Sequence, residues 1–463
     1  MQTIGEPEKT SPPHHLAFTR AKKFLLSGTA ILILANLLKA DSTPQDANVD
    51  KFHPLKAPEY SGLFLKKGDN LAICGDSITE QKMYCRIMED YLTMCVPQLD
   101  ISVRQLGWSG EKAGGFLGRM TNDCLRFHPT VATTCYGMND CEYRPYEDRI
   151  GNTYQAYTTD IVQAFKENGV RVILGSPGCV SKVPWWTHSG VTFDGLNQNL
   201  CNLRNLDIGI AREEDVRFAD LFWPMLTADT EGAERYGPDY AIPGNDGVHP
   251  FWAGHLVMAY SFLKAMGLSG DIGTFTINLK KNEINVSDGH KIISAQDGRY
   301  EIESSRYPFC PCEPDGLAAG TYPVCGHDST DSNNSIRSGM TLVPFNNDLN
   351  RLMLIVRGTD ATSYHVTWGT ESKVFTAKQL NHGINLAEEF PSNPFSAAFA
   401  RVDLAIAAKQ AYETFEIKDF FGGANVAQAD SVVAQTEQQH DELVAAVHAA
   451  FVPVTHVIEI TPQ

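Results

Sequence analysis

Three residues of the sequence could together activate a hydroxyl nucleophile: Ser77, Asp246 and His249. Ser77 follows the apolar run 71–74 and precedes a predicted helix, whose first amides can stabilise developing negative charge. Asp246 and His249 are three positions apart, so the carboxylate could orient one imidazole nitrogen while the other faces the serine. Each residue alone would also suit a helix cap. The combination is therefore what indicates nucleophilic catalysis.

Two further residues could donate hydrogen bonds to an oxyanion. Gly110 stands in a Gly-Trp-Ser-Gly string after the apolar run 101–106, and a residue without a side chain lets its backbone N–H approach a reacting atom. Asn139 follows the run 130–135, and its side-chain amide could donate a second bond. Because all these residues follow successive apolar runs or precede the last helix, we expect them at one edge of one sheet.

The pattern from residue 70 to residue 268 predicts such a sheet. Short apolar runs alternate with amphipathic stretches of helical period, which is typical of a parallel sheet flanked by helices in three α/β/α layers. The predicted strands cover residues 71–74, 101–106, 130–135, 171–174 and 216–219. The predicted helices cover residues 80–95, 113–127, 154–168, 196–212 and 251–266.

With these blocks in this order, residues 70–268 resemble the SGNH, or GDSL, hydrolases, which have a flavodoxin-like α/β fold. The resemblance implies that Ser77 is the nucleophile, His249 the base and Asp246 the residue that orients the base. It also implies an oxyanion hole formed by the Ser77 amide, Gly110 and Asn139. No cofactor or metal is required by this chemistry.

The sequence departs from the usual form of that family at two places. Gln105 stands where Asn is frequent, and Glu111-Lys112 stands where Asp-Thr is frequent. Neither change touches a residue with an implied role. We expect both to reshape the rim of the site.

Four residues at the same predicted edge are candidate substrate contacts: Asp76, Trp108, Trp185 and Trp186. Adjacent tryptophans offer flat faces to sugar rings, although a packing role suits them equally. Because the family includes carbohydrate acetylesterases, the resemblance favours a soluble short-acyl ester or acetylated polysaccharide as the substrate. A lipase, lysophospholipase or arylesterase is the alternative, but the polar segment 177–199 is a poor acyl groove. An inert carbohydrate-binding protein is a possibility of another class.

The pattern after residue 268 changes from helical period to alternation. A β-rich appendage is predicted over residues 269–392, and C-terminal helices with a last strand over residues 393–463. Asp288-Gly289 and Asp297-Gly298 predict hairpin turns. The predicted strands cover residues 274–279, 283–286, 291–295, 300–303, 340–344, 351–356, 363–368, 373–376 and 456–460. The appendage could bind glycan, cover the edge of the first sheet or mediate dimerisation.

Charge and the N-terminal segment indicate where the protein acts. The 463 residues carry 55 acidic and 38 basic side chains, and the net charge of -17 argues against nucleic acid or anionic membrane as a partner. Within residues 1–40 an apolar stretch at 24–38 follows Arg20, Lys22 and Lys23, which is typical of a signal peptide. We expect a secreted or periplasmic protein in which residues 41–69 link this segment to the sheet. An uncleaved anchor or a buried helix is the alternative.

Export bears on the eleven cysteines, some of which we expect to pair in an oxidising compartment. Cys74 and Cys135 lie in apolar runs and are predicted to be buried thiols. Four residues form a C-x-C and a C-x-H pair: Cys310, Cys312, Cys325 and His327. They could bind zinc, or the cysteines could form a disulfide within the loop or stay as thiols.

Overall fold

The computed structural model describes residues 50–187, 189–310, 335–422 and 430–463. Its first sheet contains five strands: β1 (Asn70–Gly75), β2 (Ser102–Gln105), β3 (Val131–Cys135), β4 (Arg171–Gly175) and β5 (Arg217–Ala219). The strands are all parallel, in the order β2-β1-β3-β4-β5, with Leu71 opposite both Val103 and Val131. They are mostly buried, as expected of a sheet covered on both faces. The predicted parallel sheet is confirmed.

Within the described residues, seven α-helices lie between or after these strands: α1 (Ser77–Glu80), α2 (Met83–Asp90), α3 (Ala113–Asp123), α4 (Asp148–Glu167), α5 (Phe193–Glu213), α6 (Phe222–Tyr236) and α7 (Trp252–Ala265). Helices α3, α4 and α5 pack side by side, and α2 packs on α7, which gives the predicted three layers. The sequence pattern did not predict α6. The single helix predicted at 80–95 is wrong, because Lys82 has a left-handed φ of 61° that separates α1 from α2. A π-helical turn, Tyr91–Cys95, follows α2.

Two more sheets follow in the chain. Their strands are β6 (Asp271–Asn278), β7 (Glu283–Val286), β8 (His290–Gln296), β9 (Arg299–Ser304), β10 (Arg351–Arg357), β11 (Ser363–Trp368), β12 (Glu371–Thr376), β13 (Ile384–Asn385) and β14 (Val454–Pro462). The second sheet has the order β13-β10-β6-β7 and the third, which is antiparallel, β12-β11-β14-β9-β8. Strand β14 is central in the third sheet, so residues 454–462 share a sheet with strands β8 and β9 on one side and β11 and β12 on the other.

Two local expectations in this region are wrong. Residues 340–344 form no strand, because they join α8 (Ile336–Met340) to α9 (Phe345–Leu349), and the Ser335 side chain caps α8. Asp288-Gly289 is not a hairpin turn, because β7 and β8 belong to different sheets. The hairpin at Asp297-Gly298 is confirmed: both residues have positive φ, 50° and 80°, and they join the paired strands β8 and β9.

The C-terminal helices cover the free edge of β2. After α10 (Ala377–His382) and α11 (Leu386–Glu389) come α12 (Ser396–Phe415), a π-helical turn (Glu416–Phe420) and α13 (Asp430–Ala450). Lys409 Nζ donates to the Val103 carbonyl at 2.7 Å, and the Gln105 N–H donates to Glu413 Oε2 at 2.9 Å. These bonds satisfy strand groups that an open edge would leave unpaired.

Several sequence expectations lie outside the described residues, namely the N-terminal segment 1–40 and Cys312, Cys325 and His327. The nine cysteines that the structure describes are all buried, and the eight other than Cys310 are free thiols, so the expected pairing is not found among those eight, whereas the prediction for Cys74 and Cys135 is confirmed. Within the described ranges, no group of three or more His, Cys, Asp or Glu side chains is arranged to hold a metal ion. No helix in those ranges is long and apolar enough to cross a membrane.

Candidate active site

Ser77, His249 and Asp246 form a continuous hydrogen-bonded relay. Ser77 begins α1 directly after β1, and its Oγ lies 2.8 Å from Nε2 of His249. Nδ1 of His249 lies 2.7 Å from Oδ2 of Asp246. Burial raises the pKa of Asp246, but hydrogen bonds from His249 and from the Val248 backbone outweigh it and lower the pKa below its usual value. The carboxylate is therefore ionised at neutral pH and can orient the imidazole.

The turn that carries Asp246 and His249 is held by a close backbone approach. Gly247 has a left-handed φ of 84°, and a Cβ there would lie 2.8 Å from the backbone oxygen of Lys182. Ser181 also donates its N–H to the Gly247 carbonyl at 3.2 Å. The position therefore requires glycine, and it fixes the turn against the segment that leads to Trp185.

Asp76 caps the helix that begins with Ser77. It is 2% exposed, and its Oδ1 accepts the Ile78 N–H at 3.0 Å, which caps α1. Its Oδ2 accepts from Nδ2 of Asn139 at 3.3 Å. Burial, and next the charges of Asp140 and Glu111, raise the pKa of Asp76 to about 7. The expected substrate contact of Asp76 is corrected to a positioning role, because its carboxylate is enclosed and bonded within the protein.

The loop after β2 lies directly on α1. A Cβ at Gly107 would come within 2.3 Å of the Glu80 backbone nitrogen, so only glycine permits this approach. The Trp108 N–H donates to the Gly75 carbonyl at 3.0 Å, and the Ser109 N–H donates to Glu80 Oε2 at 2.5 Å. These contacts hold Gly110, which has a left-handed φ of 74°, beside the helix that begins with Ser77.

Two of the residues that depart from the family's usual form, Gln105 and Glu111, are buried under this loop, whereas Lys112 is exposed. Glu111 accepts two hydrogen bonds from the Arg119 guanidinium, both 2.7 Å long, and a third from the Tyr136 hydroxyl at 3.0 Å. Gln105 is fully buried and donates to the Thr79 carbonyl at 3.1 Å. The expectation that these positions reshape the rim is wrong for Gln105 and Glu111, because their side chains brace the loop from inside.

Asn139 is tied to both neighbouring blocks. Its Nδ2 donates to the Glu111 carbonyl at 3.1 Å as well as to Asp76. The adjacent Asp140 accepts the Ala113 N–H at 3.1 Å and the Gly137 N–H at 3.0 Å, and burial raises its pKa to about 6. The structure thus brings the blocks of Ser77, Gly110 and Asn139 together at the carboxyl edge of the sheet.

Aromatic rings border the relay on one side. The ring centroid of Trp186 lies 6.3 Å from that of His249 and 5.6 Å from that of Tyr143. Trp185 is 87% exposed and meets Trp186 edge-on at 5.5 Å. Trp108 lies elsewhere, half-buried, on the loop of Gly110. The three tryptophans thus remain available as substrate contacts, which stays a prediction.

A protein-family comparison matches the part of the chain that contains this site. The model of the GDSL-like lipase/acylhydrolase family matches residues 73–257, which contain all the residues described above from Asp76 to His249. These residues belong to that family. Its members hydrolyse esters, so the GDSL-like domain is of the ester hydrolase class.

Two solved structures are similar to this chain to different extents. A gut microbial diltiazem-metabolizing enzyme is 22% identical, with a TM-score of 0.68, and the match covers 88% of this chain and all of the other, so the shared fold includes the appendage. The acetylxylan esterase Axe2 from Geobacillus stearothermophilus is 22% identical, with a TM-score of 0.38, and the match covers 44% of this chain and 97% of the other. The comparison with curated proteins produced no match.

A buried histidine of the GDSL-like domain was missed by the sequence reasoning. The Tyr84 N–H donates to Nδ1 of His255 at 3.2 Å, so Nε2 carries the proton and donates to Gln81 Oε1 at 3.3 Å. Gln81 in turn lies 3.5 Å from the Pro250 carbonyl. Burial lowers the pKa of His255 to about 3, so it stays neutral. This chain of bonds joins the end of α1 to the residue after His249.

Tyr143 was also missed. Glu142 and Tyr143 both have left-handed φ values, 52° and 49°, which are uncommon outside glycine. Glu142 is bonded to Arg149 at 2.7 Å and to Lys112 at 3.3 Å, which holds the strained turn. The only sequence feature that could have identified Tyr143 as a residue of the site is its position four residues after Asn139.

Proposed function

We propose that the GDSL-like domain is a serine esterase in which Ser77 is the nucleophile, His249 the general base and Asp246 the residue that orients it. The observation that carries this proposal is the relay of Ser77 Oγ, His249 and Asp246, with bonds of 2.8 and 2.7 Å. Both distances are in the range that proton transfer to a general base requires.

The proposed reaction proceeds in two steps through an acyl-enzyme. Ser77 Oγ attacks the ester carbonyl carbon as its proton passes to Nε2 of His249, which then protonates the departing alkoxide so that the alcohol leaves. A water molecule next attacks the acyl carbon, gives a proton to His249, and the acid leaves as Ser77 regains its proton. Asp246 stabilises the imidazolium that forms in each step.

The charge that develops on the carbonyl oxygen needs fixed donors. We assign these roles to the backbone N–H groups of Ser77 and Gly110 and to Nδ2 of Asn139. In support, the bonds of Glu80 to Ser109 and of Asn139 to the Glu111 carbonyl join the three blocks into one unit. The two backbone N–H donors need no reorganisation during the reaction, whereas Nδ2 of Asn139 must turn one hydrogen from Asp76 or the Glu111 carbonyl to the oxyanion.

For the substrate we propose short-acyl, chiefly acetyl, esters of carbohydrate. Trp185 presents nearly all of its surface to solvent, and the ring centroid of Trp186 lies 6.3 Å from that of His249. Exposed indole faces beside a nucleophile suit a sugar ring, whose C–H groups stack on them. A lipase would instead need an extended apolar groove for a long acyl chain.

Export is also proposed, on the N-terminal pattern of residues 20–40. The buried state of the described thiols other than Cys310 is compatible with it, since enclosed thiols react slowly with oxidants. Mass spectrometry of protein recovered from the culture medium or periplasm would show a new N-terminus near residue 41 if the segment is removed. An intact N-terminus on intracellular protein would contradict export.

The function is tested by hydrolysis of 4-nitrophenyl acetate, butyrate and octanoate, and by acetate release from acetylated xylan and pectin. Wild type is expected to prefer the acetyl ester and to release acetate from at least one glycan. Ser77→Ala should lose several orders of magnitude in kcat, whereas Ser392→Ala, at an exposed serine of the appendage, should match wild type.

The other outcomes separate the alternatives. A preference for octanoate would favour the lipase assignment. If no release depended on Ser77, the esterase assignment would be wrong, and retention of the protein on immobilised xylan would then favour a carbohydrate-binding protein.

A further inference from the structure

The π-helical turn Glu416–Phe420 belongs to the C-terminal helices and last strand of residues 393–463, here called the C-terminal extension, and it reaches the loop of the GDSL-like domain that carries Gly110. Lys418 Nζ donates to Glu80 Oε1 at 2.6 Å, and the other oxygen of that carboxylate, Oε2, accepts the Ser109 N–H. Glu80 is therefore a bridge between the extension and the residue before Gly110. Single π-helical turns of this kind occur frequently at functional sites.

A second contact joins the same lysine to the same loop. Lys418 Nζ lies 5.2 Å from the ring centroid of Trp108, whose N–H is bonded to the Gly75 carbonyl one residue before Asp76. The ammonium group thus touches the loop through a charge on one side and an aromatic face on the other. The side chains of Lys418 and Glu80 are 27% and 19% exposed, so solvent competes only partly with this pair.

The end of α12 supports the same region. Thr414 Oγ1 donates to Gln105 Oε1 at 3.3 Å and lies 3.4 Å from Lys82 Nζ, which itself donates to the Glu80 carbonyl. Gln105 ends β2 just before the loop, and Lys82 follows α1. The extension therefore contacts the loop of Gly110 at its start and at its centre.

From these contacts we propose that the C-terminal extension completes the active site: Lys418, acting through Glu80, is a positioning residue that holds the Ser109–Gly110 backbone in place as an oxyanion donor. The inference rests on the proposed serine esterase function. It gives the extension a part in catalysis that goes beyond covering the edge of β2.

The bridge works because Glu80 is held as a carboxylate. Although burial raises the pKa of Glu80, hydrogen bonds from Lys418 and Ser109 lower it below the usual value. An ionised carboxylate accepts a stronger bond from the Ser109 N–H than a neutral acid does. Without the ammonium group the carboxylate would be solvated by water instead, and the loop would lose its anchor.

The test compares Lys418→Met, Lys418→Arg and Glu80→Gln with wild type on 4-nitrophenyl acetate. A donor displaced by a fraction of an ångström weakens the transition state more than the ground state, so Lys418→Met and Glu80→Gln should lose about 10-fold in kcat with little change in KM. Lys418→Arg keeps the charge and should recover most of the rate. Phenylboronic acid, which mimics the tetrahedral intermediate, should bind the two impaired variants about 10-fold more weakly.

A double-mutant cycle separates positioning from general destabilisation. If Lys418 acts through Glu80, the double variant should be no slower than either single variant, whereas independent effects would multiply. Lys378→Met, at an exposed lysine of the appendage, should match wild type.

Each remaining outcome is decisive. Wild-type kcat in Lys418→Met and Glu80→Gln, with Ser77-dependent activity intact, would overturn the inference and leave the esterase function standing. A loss that appears only as a lower unfolding temperature, with unchanged kcat and boronate affinity, would equally overturn it. Absence of Ser77-dependent activity in wild type would instead reject the proposed function itself.

Discussion

Replacing Asn139 by alanine tests the proposed oxyanion hole directly. The hydrogen bonds of this side chain run to Asp76, the Glu111 carbonyl and the Tyr143 hydroxyl, so the relay at Ser77 is left intact. Removing one donor from such a hole costs about 100- to 1,000-fold in kcat, or about 2.7–4 kcal/mol of transition-state stabilisation. Because the bond to the oxyanion forms only in the transition state, KM should change little.

The geometry supplies a matched control. Tyr143 reaches Oδ1 of Asn139 at 3.5 Å, a length at which a hydrogen bond contributes little. Tyr143→Phe removes that contact and keeps Nδ2, so it should retain kcat within about 5-fold of wild type. A similar loss in both variants would mean that side-chain orientation, and not the Nδ2 donor, limits the rate.

The assay is steady-state hydrolysis of 4-nitrophenyl acetate, with the unfolding temperature measured for each variant. Both substitutions should leave the fold intact, since Asn139 is at a loop and only partly buried. A folded Asn139→Ala enzyme with kcat within about 10-fold of wild type would refute the assignment of Asn139 to the oxyanion hole.

Two further predictions concern stability. Because the pKa of Asp76 is raised to about 7 from 3.8, the folded state binds more protons than the unfolded chain between about pH 4 and pH 7, and this residue makes the unfolding free energy fall as pH rises through that window. Denaturant unfolding of Asp76→Asn should therefore show a flatter pH dependence of the unfolding free energy there. A slope equal to that of wild type would contradict this prediction. Lys409→Met should destabilise the fold by about 3–5 kcal/mol, because the buried carboxylates of Glu413 and Glu89, which lie 2.5 and 3.0 Å from Lys409 Nζ, lose this cation. Urea unfolding measures the loss, with Lys378→Met as the exposed control. A loss below about 1 kcal/mol would contradict the prediction.

The local pattern predicted those parts of the molecule that neighbouring residues determine. Alternating apolar runs indicated the parallel sheet and the antiparallel strands, since buried strands and amphipathic helices have distinct periods. The pattern wrongly predicted a strand at 340–344, because a short apolar run there also suits a connection between two helices. It also predicted one helix where a residue with left-handed φ, Lys82, divides two. It also assigned Asp288-Gly289 to a hairpin, because a turn sequence carries no information on which sheet its strands join.

The chemistry at the carboxyl edge could be predicted from local strings of residues, because Ser77 follows a predicted strand and Asp246 and His249 precede the last predicted helix of the sheet. The residues that brace them could be identified only in the folded protein. Lys418 lies 338 positions from Glu80, and Lys409 lies 306 from Val103, so no spacing rule connects them. Such contacts depend on how the last helices pack against an open sheet edge. That packing is determined by the burial of apolar surface over the whole chain and not by any local string of residues.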